Sequence, residues 1–331
     1  YKIANISVQA WGGEPLLEKN KIIALTKFIT PQKTKVHYSI ETNATLLTND
    51  VIEELYKNHI GIGISIDGDR KCHDLQRTFV SGKGSYDTVK KNLLQAQRYY
   101  KNKIGTITTI TKQTAVHIEK IIEHLVLDLH ISNIKLNFVH ASTYTHGQNQ
   151  CLNTQEIADT ELRILYKIIE LQERGYDVME HNIFIKLKNL LFREYADICL
   201  SCGCCGGKKM IVFDMDGNIY PCELTDDASF VIGSIYKKES LIEQIKMTID
   251  KDKAFFKMKK AVECEKCYWK FFCRGGCTVR ALSEKRQMEV IDIDHIECAI
   301  NQVLYPALME LVLRKPHIVN QMLGEDLLVD E

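Results

Sequence analysis

The chain has 331 residues, 45% of them apolar and 26% charged, with 18 glycines and 5 prolines, which excludes a disordered or fibrous protein and leaves apolar material for one large core or two smaller ones. Lysine plus arginine and aspartate plus glutamate each number 43, so no global positive field exists to hold a polyanion, and with no local basic patch in its place a nucleic-acid partner is not expected. No run of about eighteen apolar residues occurs. The start, Tyr1-Lys2-Ile3-Ala4-Asn5, has none of the features of a signal peptide, so the expected location is the cytoplasm, without a membrane partner. In that reducing setting twelve cysteines call for metal or redox chemistry rather than disulfide staples.

From Ile3 to about Phe138, short β-branched runs alternate with amphipathic helical stretches, the pattern of successive βα units on a parallel sheet. The strands expected are Ala4–Gln9, Lys35–Ile40, Ile60–Ile66, Lys103–Ile110 and Asn133–Val139. Between them Leu16–Ile29, Val51–Asn58, Tyr86–Tyr100 and Val116–Leu129 read as crossover helices; Ile118, Ile121, Ile122 and Leu125 carry the i, i+3, i+4 spacing of one buried stripe. Thr154–Arg174 reads as a further helix, with Ile157, Leu162, Leu165, Ile168 and Leu171 on one face.

Composition then changes. Between Cys199 and Cys298 lie ten of the twelve cysteines, with short strand-like pieces at Met210–Phe213 and Asn218–Tyr220, a turn at Asp216-Gly217-Asn218, and few long apolar periods. An amphipathic helix follows Cys298 through Val303, Leu304, Ala307, Leu308 and Leu311. The expected organisation is an α/β region over 1–150, a bridging helical region over 151–198, a cysteine-organised domain over 199–300, and a C-terminal helix and tail over 301–331.

Cys264-x2-Cys267-x5-Cys273-x3-Cys277 puts four thiols close enough in the chain to converge on one inorganic centre without a long loop closure. Cys222 and Cys298 stand outside the run, and Cys199, Cys202, Cys204 and Cys205 form a group upstream. Eight ligands would make two four-thiolate sites. Spacing alone leaves iron–sulfur clusters, structural zinc and disulfides all open.

The order Cys204-x12-Gly217-x4-Cys222, then Cys264-x2-Cys267-x5-Cys273-x3-Cys277, then Cys298 resembles the seven-cysteine SPASM domain of radical S-adenosylmethionine (SAM) enzymes. The resemblance implies two auxiliary four-iron, four-sulfur clusters: Cys264, Cys267, Cys273 and Cys298 hold the outer one, and Cys222, Cys277 and Cys204, with Cys199 as second upstream choice, hold the inner one. The N-terminal half is similar to the same family. Gly12-Gly13-Glu14-Pro15 matches its GGEP motif, which holds the cofactor's amino group; two glycines let backbone approach a ligand, and Glu14 offers a carboxylate to an ammonium. Thr42-Asn43, Ser65-Ile66-Asp67-Gly68, and His73-Asp74 with Arg77 and Gly82-x-Gly84-Ser85 follow in the family's order. By that resemblance Asn43 and Ser65 lie near the cofactor and Arg77 pairs with its carboxylate.

The implied architecture is α/β: a partial (β/α)6 TIM-like barrel, then the small iron–sulfur domain and a C-terminal helix. The family's CxxxCxxC loop for the catalytic cluster is not among these residues, and Cys72 and Cys151 are isolated. The expectation is that the first strand, its cysteine loop and the first helix precede Tyr1. The resemblance implies a peptide maturase that uses SAM, a third, catalytic cluster, and a reductant such as flavodoxin or ferredoxin to install a thioether or other cross-link in a ribosomally made peptide. One alternative is an anaerobic sulfatase-maturing, formylglycine-forming enzyme, where an Asp acting as base follows the cysteine of the Gly-x4-Cys element; here Glu223 stands in its place, a candidate catalytic carboxylate. The other is a non-catalytic, metal-organised binding module.

Overall fold

The computed structural model describes residues 5–28, 34–140, 148–193, 204–225, 228–250, 262–283 and 293–324. The chain divides into two compact units, one built from 1–139, 163–182 and 320–326, the other from 140–162, 183–319 and 327–331.

The first unit is organised by a six-stranded sheet in sequential order, β1 (Asn5–Ala10), β2 (Lys35–Thr42), β3 (Ile60–Ser65), β4 (Gly105–Ile110), β5 (Asn133–Phe138) and β6 (Met179–Glu180). Every neighbouring pair is parallel. Five of these strands fall where the sequence pattern puts them. The sixth, two residues long, is too short to carry alternation, and it is pinned by Glu180, whose Oε1 accepts from the Leu136 amide at 3.0 Å.

Side-chain alternation gives the sheet two unlike faces. Ile40, Ile62, Ile64, Ile110, Leu136 and Phe138 are buried on one face, the arrangement of a parallel sheet covered by its crossover helices. Full burial of each such side chain stabilises the fold by roughly 1.5–3 kcal/mol. The opposite face carries Ser39, Glu41, Gly63, Ser65, Thr109 and Asn137, all half-buried.

The helices Asn49–Lys57 and Tyr86–Tyr100 match the periodicity closely. Tyr100 donates its hydroxyl to the Ile60 carbonyl at 2.8 Å, fixing the second helix to β3. The stretch expected as one helix over Val116–Leu129 is instead broken: Thr111 and Thr114 form a capping box on the short helix Lys112–Ala115, a helix follows over Ile118–Glu123, and a π-helical turn runs through His124–Asp128. Likewise the expected Leu16–Ile29 helix is split. Pro15 opens a 3-10 turn through Glu18 and the α-helix spans Lys19–Leu25, while Ile29 lies outside the described residues.

In the second unit a three-stranded antiparallel sheet, β7 (Val212–Phe213), β8 (Asn218–Tyr220) and β9 (Gly233–Ser234), precedes short helices over Val262–Glu265, Lys270–Cys273 and Thr278–Ser283 and the long helix His295–Arg314. The turn expected at Asp216-Gly217-Asn218 joins β7 to β8; Gly217 has φ 77°, and a Cβ there would lie 2.7 Å from the Ile235 side chain, so both conformation and space demand glycine. His295–Arg314 is also the one helix among the described residues long and apolar enough to cross a membrane by length and composition. Its polar positions are occupied within this unit: Asp294 caps it through the Glu297 amide, and Glu297, Asn301 and Tyr305 are bonded to Lys186 and Asn189.

Candidate functional site

In the first unit the polar groups gather at the carboxyl ends of β1, β2 and β3, the end at which parallel α/β sheets bind ligands. After β1 the chain turns through Gly12 (φ 88°) and Gly13 (φ 54°). A Cβ at either would meet nothing within 4 Å, so glycine is required here by backbone conformation and leaves open space above the turn. Glu14 then acts as a clamp: Oε1 accepts from the Leu16 amide at 3.0 Å and the Thr42 hydroxyl at 2.7 Å, and Oε2 accepts from the Asn43 amide at 2.8 Å. The carboxylate that the resemblance assigns to an ammonium thus also ties the end of β1 to the end of β2. With about four acceptor positions, it retains capacity for one further donor.

Asn43 folds back on its own loop, its Oδ1 accepting from the Thr45 amide at 2.9 Å and hydroxyl at 2.7 Å. Ala44, between them, has φ 59°, a left-handed conformation that costs a residue with a Cβ. Asn92 holds that strained residue in place by donating to the Ala44 carbonyl at 2.7 Å. Ser65 ends β3 half-buried on the polar face, in register with Ile107.

Arg77 is engaged in a way the sequence pattern did not suggest. Its Nε donates to Asp67 Oδ2 at 2.7 Å and its Nη2 to Oδ1 at 3.3 Å; Asp67, 1% exposed, also accepts from Gln76 Nε2 at 2.8 Å and the Thr109 amide at 2.9 Å. The Nε edge of the guanidinium is therefore spent on Asp67, and a cofactor carboxylate could be met only by its remaining N–H groups. His73 is fully buried: its Nδ1 accepts from the Asp67 amide at 3.2 Å, so Nε2 is the donor to Ser85 Oγ at 3.0 Å, and Ser85 donates to the Arg77 carbonyl at 2.9 Å. Burial pushes the imidazole down to about 4. Gly84 is needed because a Cβ there would lie 2.1 Å from the Asp74 carboxylate, which accepts from the Tyr86 amide. Asp67, Gln76, His73, Ser85 and Thr109 are thus the framework of this end of the sheet. An acidic residue directly after the apolar run Ile60–Ile66 was the one sequence signal for it.

In the second unit Cys204, Cys222, Cys264, Cys267, Cys273, Cys277 and Cys298 are not in disulfides, whereas Cys205 is disulfide-bonded, which corrects the expectation that none of the twelve cysteines is a staple; Cys199 lies outside the described residues. Cys204, Cys222 and Cys277 pack in one small core with Val279, Ala281, Leu224 and Phe230. Burial pushes the Cys222 thiol up to about 12, with Glu223, Cys277 and Cys204 adding to the effect, which places these three cysteines within electrostatic reach of one another. A second set surrounds the start of the long helix. Cys298 lies within reach of Cys267, whose Sγ accepts from Gln302 Nε2 at 3.6 Å, and Cys273 shares the Asn301 side chain. Cys264 precedes Cys267 by one turn, with the Cys267 amide donating to the Cys264 carbonyl at 3.4 Å.

No group of three or more His, Cys, Asp or Glu among the described residues closes on a single ion. Thiolates on a four-iron cluster stand further apart than those on one ion, and an all-cysteine donor set, free of disulfides at these seven positions, suits iron–sulfur ligation. Burial favours the neutral thiol at Cys222, Cys273, Cys277 and Cys298, so a bound metal would release their protons. Glu223 is exposed beside Cys222. Cys72 and Cys151 lie outside both sets; burial raises the Cys72 thiol to about 12.

Residues 5–125 match the Radical SAM superfamily. Over 273 residues, 80% of this chain and 71% of the relative, the sequence is 26% identical to the cysteine-type anaerobic sulfatase-maturating enzyme of Clostridium novyi (strain NT). Over 313 residues, 92% of this chain and 60% of the relative, it is 23% identical to the radical SAM cyclopropyl synthase TigE of Paramaledivibacter caminithermalis. The structure is similar to native anSMEcpe with bound AdoMet and Cp18Cys peptide, with TM-score 0.80 and 20% identity over 93% of this chain and 86% of that one, a likeness of fold. The α/β fold with its parallel six-stranded sheet is therefore that of the radical SAM barrel.

Proposed function

We propose that this radical SAM enzyme oxidises a cysteine or serine side chain in a polypeptide, converting it to an aldehyde as in sulfatase maturation. The carrying observation is that similarity to a cysteine-type sulfatase-maturating enzyme covers 80% of this chain, so it extends well beyond the radical SAM match at 5–125 and reaches into the cysteine-rich segment. This replaces the thioether cross-link as the first reading. Cross-linking remains the second, favoured by Glu223 where the sulfatase-maturing subgroup has Asp and by similarity to a cyclopropyl synthase.

SAM with its catalytic cluster supplies hydrogen-atom abstraction when bound. The residues that would hold the cofactor are Gly12 and Gly13 through their backbone, Glu14 and Pro15 at the turn, and Asn43, Ser65 and Arg77 at the neighbouring strand ends. Glu14 orients the turn by binding the end of β2 and keeps one acceptor position for an ammonium. Arg77, aimed by Asp67, offers its remaining N–H groups to a carboxylate. In the second unit Cys264, Cys267, Cys273 and Cys298 would hold one auxiliary cluster, and Cys204, Cys222 and Cys277, completed by Cys199, the other. We assign Glu223 as proton acceptor; its exposed carboxylate next to Cys222 supports that role.

The test is product analysis. The complete gene product, purified anoxically and loaded with iron and sulfide, is incubated with reductant, SAM and a cysteine-containing peptide. Formation of 5′-deoxyadenosine with an aldehyde at the former cysteine is expected. Loss of two hydrogens with sulfur retained in a link would establish the second reading, and intact cofactor with unmodified peptide would refute both.

A further inference from the structure

The second unit contains a buried lysine that neither the motif pattern nor the proposed chemistry uses. Lys186, on the helix His181–Phe192, has a side chain 5% exposed, with Nζ bonded to Glu297 Oε1 and to Asn301 Oδ1, the latter at 2.7 Å. Asn301 Nδ2 in turn donates to Glu297 Oε1 at 3.0 Å, and the same side chain reaches the Cys273 thiol. Cys273, next to Asn301, and Cys298, next in sequence to Glu297, both belong to the outer cysteine set. The ammonium lies 5.7 Å from the centre of the Tyr305 ring, which stacks on Trp269 between Cys267 and Cys273 in the chain. On the far side of Glu297 stands Arg280, 3.4 Å from Oε2, itself paired with Asp294 at 2.7 Å. Asp294 accepts from the Cys277 amide at 2.7 Å, so the network reaches the inner set as well.

A buried ion pair is poor value for stability alone, because well-packed apolar side chains of the same volume often serve as well. Its position suggests another use. Reducing an iron–sulfur cluster adds a negative charge to a centre already surrounded by thiolates, and in a low-dielectric interior a nearby cation favours the reduced state. Glu297 holds Lys186 charged: burial alone would lower the ammonium, but the carboxylate more than offsets that and the net displacement is upward. Glu161, also buried, adds a second carboxylate within electrostatic reach.

We infer that Lys186, held by Glu297 and Asn301 beside Cys273, is a positioning residue that raises the reduction potential of the cluster on Cys264, Cys267, Cys273 and Cys298. The inference rests on the cluster assignment proposed above. Lys186 touches no reacting atom; it acts through the electrostatic field at that site.

The test is an EPR-monitored redox titration of the iron-loaded full chain, with the outer-site signal identified as the one missing from Cys267→Ala. Lys186→Gln is expected to shift that signal to lower potential. Lys186→Arg is expected to restore it, and Glu297→Gln to move it to higher potential. Glu297→Gln keeps a carbonyl acceptor for Lys186 and Asn301 and gives up only the 3.4 Å contact with Arg280, which stays paired with Asp294, so it carries the test if Lys186→Gln does not fold. Iron retained with the potential unmoved, or moved in the same direction by both charge-removing variants, overturns the inference alone. A wild-type protein that binds no iron overturns the cluster assignment and the inference with it.

Discussion

Asp67, one residue beyond the apolar run that makes β3, and Arg77, just past the helix Arg70–Gln76, form an ion pair with Arg77 Nε 2.7 Å from Asp67 Oδ2. The pair fastens the loop after the helix to the strand end, and it aims the guanidinium. Because Asp67 is buried and also takes Gln76 and the Thr109 amide, it is the centre of the arrangement and Arg77 one spoke.

The two partners are therefore unequal. Asp67→Ala strips three donors of their acceptor and is expected to destabilise the first unit by about 3–5 kcal/mol. Arg77→Met leaves Asp67 two donors and should cost about 1–2 kcal/mol, while weakening SAM binding. Urea unfolding and equilibrium dialysis measure the two effects. Equal destabilisation by both variants would contradict this ranking.

Glu14 ties the end of β1 to the end of β2, and under the proposed function it also meets the cofactor. Glu14→Gln keeps one carbonyl acceptor, so unfolding should shift by about 1–2 kcal/mol, while the proposed ammonium contact predicts that cofactor affinity falls with the loss of the charge. A variant with wild-type affinity for SAM would remove Glu14 from the binding site.

His73 carries a pH dependence whose sign follows from burial. Its folded value, about 4, lies below the ordinary value of 6.5, so the unfolded chain takes up the proton first. The stability contribution is complete above pH 6.5 and is lost as pH falls toward 4, by up to about 3 kcal/mol. His73→Gln should lose less stability than the wild type between about pH 7.5 and about pH 5, measured as the change in urea midpoint. An equal loss in both proteins would place the acid sensitivity elsewhere.

The architecture was largely legible because its signals are local. Ile60–Ile66 and Asn133–Val139 place apolar residues at every second position over a strand length, and Tyr86–Tyr100 holds its helical stripe for the full length of the observed helix. The break at Val116–His117 was not legible, since the apolar spacing continues through it and the Thr111–Thr114 capping box marks only where the first short helix starts. Gly12, Gly13 and Glu14 were legible as a turn with a carboxylate, but the clamp onto Thr42 and Asn43 joins positions 28 and 29 residues apart that no local pattern links. Arg77 shows the same limit: a fork-shaped donor can be read from sequence, its partner cannot. The grouping of Cys204 with Cys222 and Cys277 came from family resemblance, since spacing alone would have kept Cys277 with its near neighbours.

The cysteine-rich segment has few long apolar periods, so its folding should depend on metal. Cys267→Ala should lose the outer cluster and much soluble protein, and Cys151→Ala, outside both sets, should leave the iron content unchanged. Iron analysis of both variants checks this. Full iron retention in Cys267→Ala would refute that ligand assignment.

The most direct measurement is the metal content of the anoxically purified chain. Two four-iron clusters predict a brown protein with ~8 irons and ~8 acid-labile sulfides per chain. A colourless protein with about two zinc ions and no sulfide would show that the cysteines build structural zinc sites, and it would contradict the account of the second unit as an iron–sulfur domain.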